Sequence, residues 1–587
     1  LKSPPQPMPF LLPAIARRTA LLVAAGALTV VVPPRLLSTM ARRAALLVAV
    51  GALAVAAASA EEAPVGVDVL VVGAGQAGMA AAHRLVGLGY SVHVVEATDH
   101  VGGRTRNFDV RTGGYDTASD HVVEVGGTWL SWKHTAFLGL CEELGIQVFN
   151  ASFVDPPGTA GEAVPGAEGE NWPWWVWGSD HPKDHTERMG KTVFHSPNRS
   201  FRFRSPAQLA ASVDRGLASE LEHGGAVVKR AADAVGDQCW DAKAVPAAWR
   251  ELDVDSTAGA LFRVLRSEES RQVLRNCIHD KNAHEPEAVS FLYNSLSFHG
   301  CNSGGPDTQY RVRGGTQAVP LAIAKRLGSN VSLSSPVAAV RGMPGGAAVQ
   351  LLSGRKLSAR AVVLTGPPPA VLGVQFQPPL EGTQAQLLQR MPMGASMKYA
   401  AVYRQGPWWR ELGLQGDIVS SGLPKEFSMP ESGIPLFVQC VDHSPFSRQW
   451  GVIVCFIEGR QNLYFTGLPA EKQRSTMLSF LRWSFNDSRA ETFEPEFLAH
   501  NWADQAFARG AYTNYFPPGV LSVPEYWEAY GAMEKLPNVF LAGSDYHVGF
   551  GNGYIEGAVR SGQRAAGLVD ERLRGRPAEP FKTSVVI

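Results

Sequence analysis

Apolar positions first gather, near the N-terminus, into two almost identical runs, ARRTALLVAAGALTVVV from Ala16 and ARRAALLVAVGALAVAA from Ala41, each opening on an arginine pair. Both fall short of the roughly 20 apolar residues needed to cross a bilayer. The second closes on Ala58-Ser59-Ala60 before Glu61-Glu62, the charged, apolar, small-residue order of a cleavable signal peptide. Residues 1–60 are therefore expected to be a targeting region with cleavage near 60 and a start at Met40; a tandem or uncleaved signal anchor is the alternative. The next run, Val69 to Val72, does not alternate, as expected of a strand buried on both faces in a parallel sheet. Gly73-Ala74-Gly75-Gln76-Ala77-Gly78 follows as a turn and Met79 to Leu88 as a helix, and a second strand ends at Glu96. Further on, Ala361 to Thr365 runs into Gly366-Pro367-Pro368-Pro369, a strand stopped by prolines. GAYTNYFPPG, residues 510 to 519, reads as a strand closing in a Pro-Pro-Gly turn.

At 587 residues the chain exceeds what one simple core holds, so two domains are expected, interleaved or separate. Its 54 Lys and Arg balance 54 Asp and Glu, with no long basic run, which argues against a nucleic-acid partner and leaves small neutral or apolar ligands open. Cys141, Cys239, Cys277, Cys301, Cys440 and Cys455 are sparse and show neither CxxC nor Cys/His spacing. They read as buried apolar residues rather than a disulfide framework, and no metal is inferred. Sequons at Asn150, Asn198, Asn330 and Asn486 fit a secreted glycoprotein.

The glycine turn carries the first chemistry. Gly73 permits the tight turn, Gly75 lets backbone approach a pyrophosphate, and Gly78 lets helix and strand pack closely, so phosphates can rest on the helix N-terminus. Glu96, at the end of the second strand, is placed to accept hydrogen bonds from ribose hydroxyls. The loop alone does not separate NAD from FAD. His100-Val101-Gly102-Gly103-Arg104-Thr105-Arg106 follows, and its arginines imply a second anionic contact, with solvated loop charges as the alternative.

With these residues, the chain resembles the flavin-containing amine oxidases. The resemblance is carried by the loop with Glu96, by Gly102-Gly103-Arg104, by Glu124-Val125-Gly126-Gly127-Thr128-Trp129, and by Tyr310-Arg311-Val312-Arg313-Gly314-Gly315-Thr316-Gln317. Met393-Gly394-Ala395-Ser396-Met397-Lys398, the 510–519 stretch and LAGSDYHVGFGNGYIEGAVRSGQRAA from Leu541 complete it. Residues 152 to 270 carry no such motif; the aromatic Asn171–Trp177 there could line a substrate entrance or be a surface loop.

The resemblance implies an α/β fold: an FAD-binding Rossmann-like (GxGxxG) domain of discontinuous segments, 66–148, 308–392 and 505–572, with an interleaved α+β substrate domain, 149–307 and 393–504, and a tail at 573–587. It also implies FAD as cofactor, held by Gly73, Gly75, Gly78, Glu96, Gly103, Arg104, Gly126, Gly127, Thr128, Val337, Gly543, Asp545, Tyr554 and Ile555. Tyr512 and Tyr554 would flank the amine, and Lys398 would hold a water against the flavin. A helix starting near Ile555 would aim N–H groups at the reduced cofactor.

The implied reaction is oxidative deamination of a primary amine, with O2 as acceptor and ammonia, aldehyde and peroxide as products. An alkylamine has a pKa near lysine's, about 10.4, and is ammonium at pH 7, so the cavity must favour the neutral form by desolvation. Mitochondrial members of the family carry a cysteine bound to FAD before the tyrosine; Ala511 stands there, so FAD is expected to be non-covalent. They also end in an apolar anchor, whereas RGRPAEPFKTSVVI is too short and polar to span. The alternatives are an L-amino-acid or polyamine oxidase with the same flavin chemistry, a secreted flavin-binding protein without turnover, and an NAD-dependent dehydrogenase. Ser290–Phe298, matched to the cavity, holds no cation, which favours an amine over an amino acid, although Arg311 or Arg313 could still reach the pocket. A secreted chain is expected, and a homodimer is left open.

Overall fold

The computed structural model describes residues 66–150, 191–196, 199–203, 214–236, 245–298, 310–532 and 534–575, all within one unit, 62–587. The targeting region, the 171–177 aromatics, Asn198, Cys239, Cys301 and the last twelve residues lie outside them.

Strand β1 (Gly66–Val72) enters helix α1 (Gln76–Gly87) through the glycine turn and returns as β2 (Val92–Val95), parallel to β1 with Val69 opposite Val92. The unalternating run is buried because helices cover one face: Val69 and Val71 pack with α1. Leu70 joins a second cluster on the other face. Helix α1 begins three residues before the first strongly apolar position, since Gly78 lies inside its first turn; a Cβ there would run into the Gly73 carbonyl. Gly73 itself has φ +103°, the region only glycine adopts freely. Helix α2 (Thr135–Leu144) packs into the same cluster. Strand β3 (Lys356–Leu364) lies parallel to β1, with Val69 opposite Ala361. The sheet runs in the order 331–332, β2, β1, β3, 346–351, 337–343, 375–377, with 539–541 also parallel to β3.

A second sheet has the order 496–501, 396–403, 451–458, 439–442, 414–420, 191–196, 199–203. Its centre is β4 (Ser396–Tyr403), β5 (Gln439–Asp442) and β6 (Gly451–Glu458), with β7 (Glu496–Asn501) at one edge. Lys398 lies opposite Phe456 on β6 and His500 on β7, so the three share one face. Tyr399, opposite Cys455, points to the other face and joins its core.

Two expectations change. Cys440 and Cys455 face each other across β5 and β6 and form a disulfide, whereas all six cysteines were expected to be plain buried residues. Fifteen residues apart and without motif spacing, they meet only through antiparallel register. Cys141 is a buried free thiol.

The second change is at 510–519, which is not a strand: a single bridge joins Asn514 to Met393, and the Ala511–Tyr512 peptide is cis. Its backbone groups are committed to several different segments, which no flat ladder allows. Ala511 N–H donates to Gly394 O (3.0 Å), Asn514 N–H to Asp545 Oδ1 (3.1 Å) and Tyr515 N–H to Pro392 O (3.0 Å), while Asn514 O accepts from Tyr293 (2.8 Å). The expected turn is present, and buried Asp253 holds it, its backbone O accepting from Gly519 N–H (2.7 Å) and its Oδ2 from Ser522 N–H (2.8 Å).

Helix α3 (Ile555–Arg574) closes the fold, crossing α1 where Gly562 lies against the Ala77 carbonyl with no room for a Cβ. Among the described residues no helix is long and apolar enough to cross a membrane.

Candidate active site

At the nucleotide end, α1 starts at Gly75 with no side-chain cap, so its first-turn N–H groups face outward from the loop. Gly75 packs on the backbone of Gly103, a close approach that leaves glycine on both sides of a narrow cradle. Glu96 is buried; its Oε2 accepts from Ala74 N–H (2.6 Å) and its Oε1 from Thr98 N–H (2.9 Å), which points the carboxylate along the loop. Val337 opens the strand that follows Ser335, whose N–H donates to Glu96 O (2.7 Å). An uncapped helix start, a glycine cradle and an acid beside it fit an FAD diphosphate and ribose; these residues would hold that half of the cofactor.

The two loop arginines face protein carboxylates. Arg106 pairs with Asp116 (2.9 Å). Arg104 forms a two-pronged pair with Asp545, donates from Nη1 to Tyr512 O (2.9 Å) and from Nη2 to Ser544 Oγ (3.1 Å). Asp545, 1% exposed, also accepts from Thr513 Oγ1 (2.9 Å) and Asn514 N–H. Arg104 O sits where a Cβ of Gly126 would be, and Gly127 lies against Ile555, the first residue of α3. Gly543 has φ +147° and donates its N–H to Ser561 Oγ (3.0 Å), tying the 543–545 turn to α3. Residues 104, 126–127, 512, 545 and 555 thus converge.

Lys398 is buried on the face of the second sheet that meets this convergence. Its Nζ donates to Glu124 O (3.0 Å), Gly126 O (2.6 Å) and Thr128 Oγ1 (2.9 Å), and it lies 5.0 Å from the centre of the Trp129 ring and 5.5 Å from that of Phe456. Two backbone carbonyls and one hydroxyl of the 124–128 segment are thus tied to this one ammonium group. Burial pushes the lysine down to about 7, with Glu124 opposing and Arg311 reinforcing the fall.

Beneath it lies a buried set whose meeting residue order did not show. Glu124 Oε2 accepts from Arg311 Nη2 (2.7 Å) and pairs with His443 Nε2 (2.9 Å). Burial alone raises the Glu124 carboxyl, but Arg311's charge and the His443 hydrogen bond hold it at about 2. Burial takes His443 down to about 3, so it is neutral at pH 7. Glu124, Arg311 and Trp129 sat in motifs that pointed to them; His443 had no such sign.

The two tyrosines are carried by neighbouring segments. Tyr512 packs at 6.2 Å, edge-on, against Phe456. Tyr554 is the N-cap of α3 and lies 5.8 Å from His134. Gly553, just before Tyr554, rests on the side chain of Thr513, just after Tyr512. Glu556 orients the start of α3 by accepting from Ala136 and Phe137 N–H (3.0 and 2.9 Å) at the N-terminus of α2. Ser290–Phe298 is a core helix from Phe291, packed with Phe516 and Tyr546.

A dinucleotide cradle, a buried lysine and two tyrosines beside a helix start define a flavin-dependent amine oxidoreductase. The chain belongs to the flavin containing amine oxidoreductase family, whose model matches residues 76–166 and 198–570. It is similar to the Mycobacterium tuberculosis protein named as a flavin-containing monoamine oxidase, AofH: 30% identical, covering 86% of this chain and 97% of the relative. It is 26% identical to amine oxidase B of Bos taurus over 85% of each chain. Among solved structures, the wild-type putrescine oxidase bound to putrescine matches with TM-score 0.68 and 25% identity, covering 86% of this chain and all of that one. Cyclohexylamine oxidase from Brevibacterium oxydans IH-35A matches with TM-score 0.69 and 26% identity, covering 86% of this chain and 99% of that one. The enzyme uses FAD and deaminates amines oxidatively.

The depressed lysine makes a test. From pH 7 upward the folded protein sheds the Lys398 proton while the unfolded chain keeps it to about 10.4, so stability rises with pH across that window. Wild type should gain up to about 3 kcal/mol relative to Lys398→Met between pH 7 and 9.5 in denaturant melts. A constant difference would mean that the lysine titrates normally.

Proposed function

We propose that this enzyme oxidises primary amines with an apolar or aromatic body and excludes α-amino acids. The observation that carries this reading is the pairing of the arginines. Arg311 is neutralised by Glu124, Arg313 by Asp120 (2.7 Å) and Arg104 by Asp545, so none of the three offers its charge to a substrate carboxylate. A carboxylate buried without a cation costs several kcal/mol. Putrescine and cyclohexylamine, for which the two similar solved structures are named, lack one.

Bound FAD would supply the hydride acceptor, and O2 is the electron acceptor proposed for it. The chain's part is to desolvate and orient. Tyr512 and Phe456, packed with Trp129 in one apolar cluster, penalise the ammonium form of the substrate. Lys398 fixes the Gly126–Thr128 backbone beside the start of α3. The helix N-terminus at Ile555 favours negative charge. Phenethylamine and L-phenylalanine differ by the carboxylate alone, so kcat/KM should favour the amine by orders of magnitude; equal turnover would establish the amino-acid oxidase instead.

We infer that FAD is held without a covalent bond, since buried Ala511 cannot form a thioether. Acid precipitation should leave the yellow colour in the supernatant, and colour in the pellet would overturn this. Export is supported by the Cys440–Cys455 bond, which persists in oxidising compartments. N-terminal sequencing of native protein should begin near Glu61, and a chain retaining residues before Met40 would end that reading.

A further inference from the structure

We infer that Thr513 is a positioning residue that sets the gap between the two tyrosine walls, and thereby which amine widths the enzyme accepts. It rests on the reading of Tyr512 and Tyr554 as those walls.

Thr513 is 4% exposed and lies with its whole side chain against Gly553, the methyl nearest. Its hydroxyl donates to Asp545 Oδ1 (2.9 Å), and its backbone O accepts from Gly394 N–H (3.1 Å). Its methyl faces Gly553: a Cβ built there would lie 3.0 Å from Thr513 Cγ2, and Gly553 already has φ +79°. Gly553 N–H in turn donates to Ser544 O (3.1 Å), next to Asp545. The contacts close a ring: Thr513 to Asp545, Asp545 through the chain to Ser544, Ser544 to Gly553, and Gly553 back to the Thr513 methyl. Tyr512 leaves this ring on one side and Tyr554 on the other.

Both halves of the threonine are needed. The hydroxyl anchors the Tyr512 strand of the ring to a carboxylate whose charge Arg104 fixes. The methyl is the spacer that keeps the Gly553–Tyr554 backbone from closing inward. Serine keeps the anchor and loses the nearest of the Gly553 contacts, and valine keeps the methyl and loses the anchor.

The test uses the FAD-loaded enzyme with Thr513→Ser and Thr513→Val. The kinetic readout is kcat/KM for n-butylamine against cyclohexylamine, a slim and a broad primary amine. The binding readout is Kd for tert-butylamine, which has no hydrogen on the carbon beside nitrogen, so it binds without turnover and is followed by the flavin absorbance. Thr513→Ser should shift the ratio towards n-butylamine by roughly tenfold and weaken tert-butylamine similarly, with flavin content and melting temperature near wild type. Thr513→Val should keep the ratio while lowering kcat for both amines roughly tenfold, because Asp545 loses a donor. An unchanged ratio and Kd in Thr513→Ser overturns the inference, and this variant decides alone if the valine protein does not fold. Tyr512→Leu and Tyr554→Leu separate the two levels. If they abolish turnover while Thr513→Ser is silent, only the spacer fails; if they too are silent, the tyrosine walls fail with it.

Discussion

The ion pair between Arg104 and Asp545 is the constraint on which the rest of the site depends. Asp545 is almost fully buried, and a buried carboxylate is tolerated only when a cation and further donors surround it. Here those donors come from segments far apart in the chain: the guanidinium from the loop after β2, and the Thr513 hydroxyl and Asn514 N–H from the stretch before α3. Because Arg104 also donates to Tyr512 O, satisfying one charge fixes the backbone that carries Tyr512. Removing either partner would leave the other charge buried and alone, at a cost of about 3–5 kcal/mol.

A second solution to the same problem lies across the site. Lys398 is surrounded by three oxygens and two aromatic rings, with no carboxylate oxygen in its hydrogen-bond shell, so its charge is solvated but not neutralised. The nearby carboxylate of Glu124 is spent on Arg311 and His443. This leaves a lysine able to titrate near neutral pH while the strand that carries it stays paired on both sides. Its front face meets Tyr512, and the strand paired with it, β6, is joined to β5 by the Cys440–Cys455 bond.

Some of this was legible in residue order, and the reason is local. The glycine turn, the helix it opens, the acid after β2 and the helix starting at Ile555 follow from backbone conformations and end effects that act over a few residues. Stops were legible too, since Pro517-Pro518-Gly519 had to turn whatever surrounded it. The same stretch misled as a strand, because Tyr and Phe suit strands while its backbone partners, Gly394, Asp545 and Tyr293, are invisible in sequence.

What the sequence by itself determined is a dinucleotide-binding turn and an ordered set of motifs resembling the amine oxidases, in which Tyr512, Tyr554, Lys398 and Ala511 hold their places. Tertiary structure alone decided which charges meet. Arg311 could have faced a substrate, but the 122–124 strand and the 443–444 turn enclose it with Glu124 and Ser444 O. Cys440 found Cys455 through strand register, and Thr513 found Gly553 because two turns closed on one carboxylate. Those pairings depend on distances between segments that no local propensity encodes, and the burial of charge then admits only the arrangement in which each one is answered.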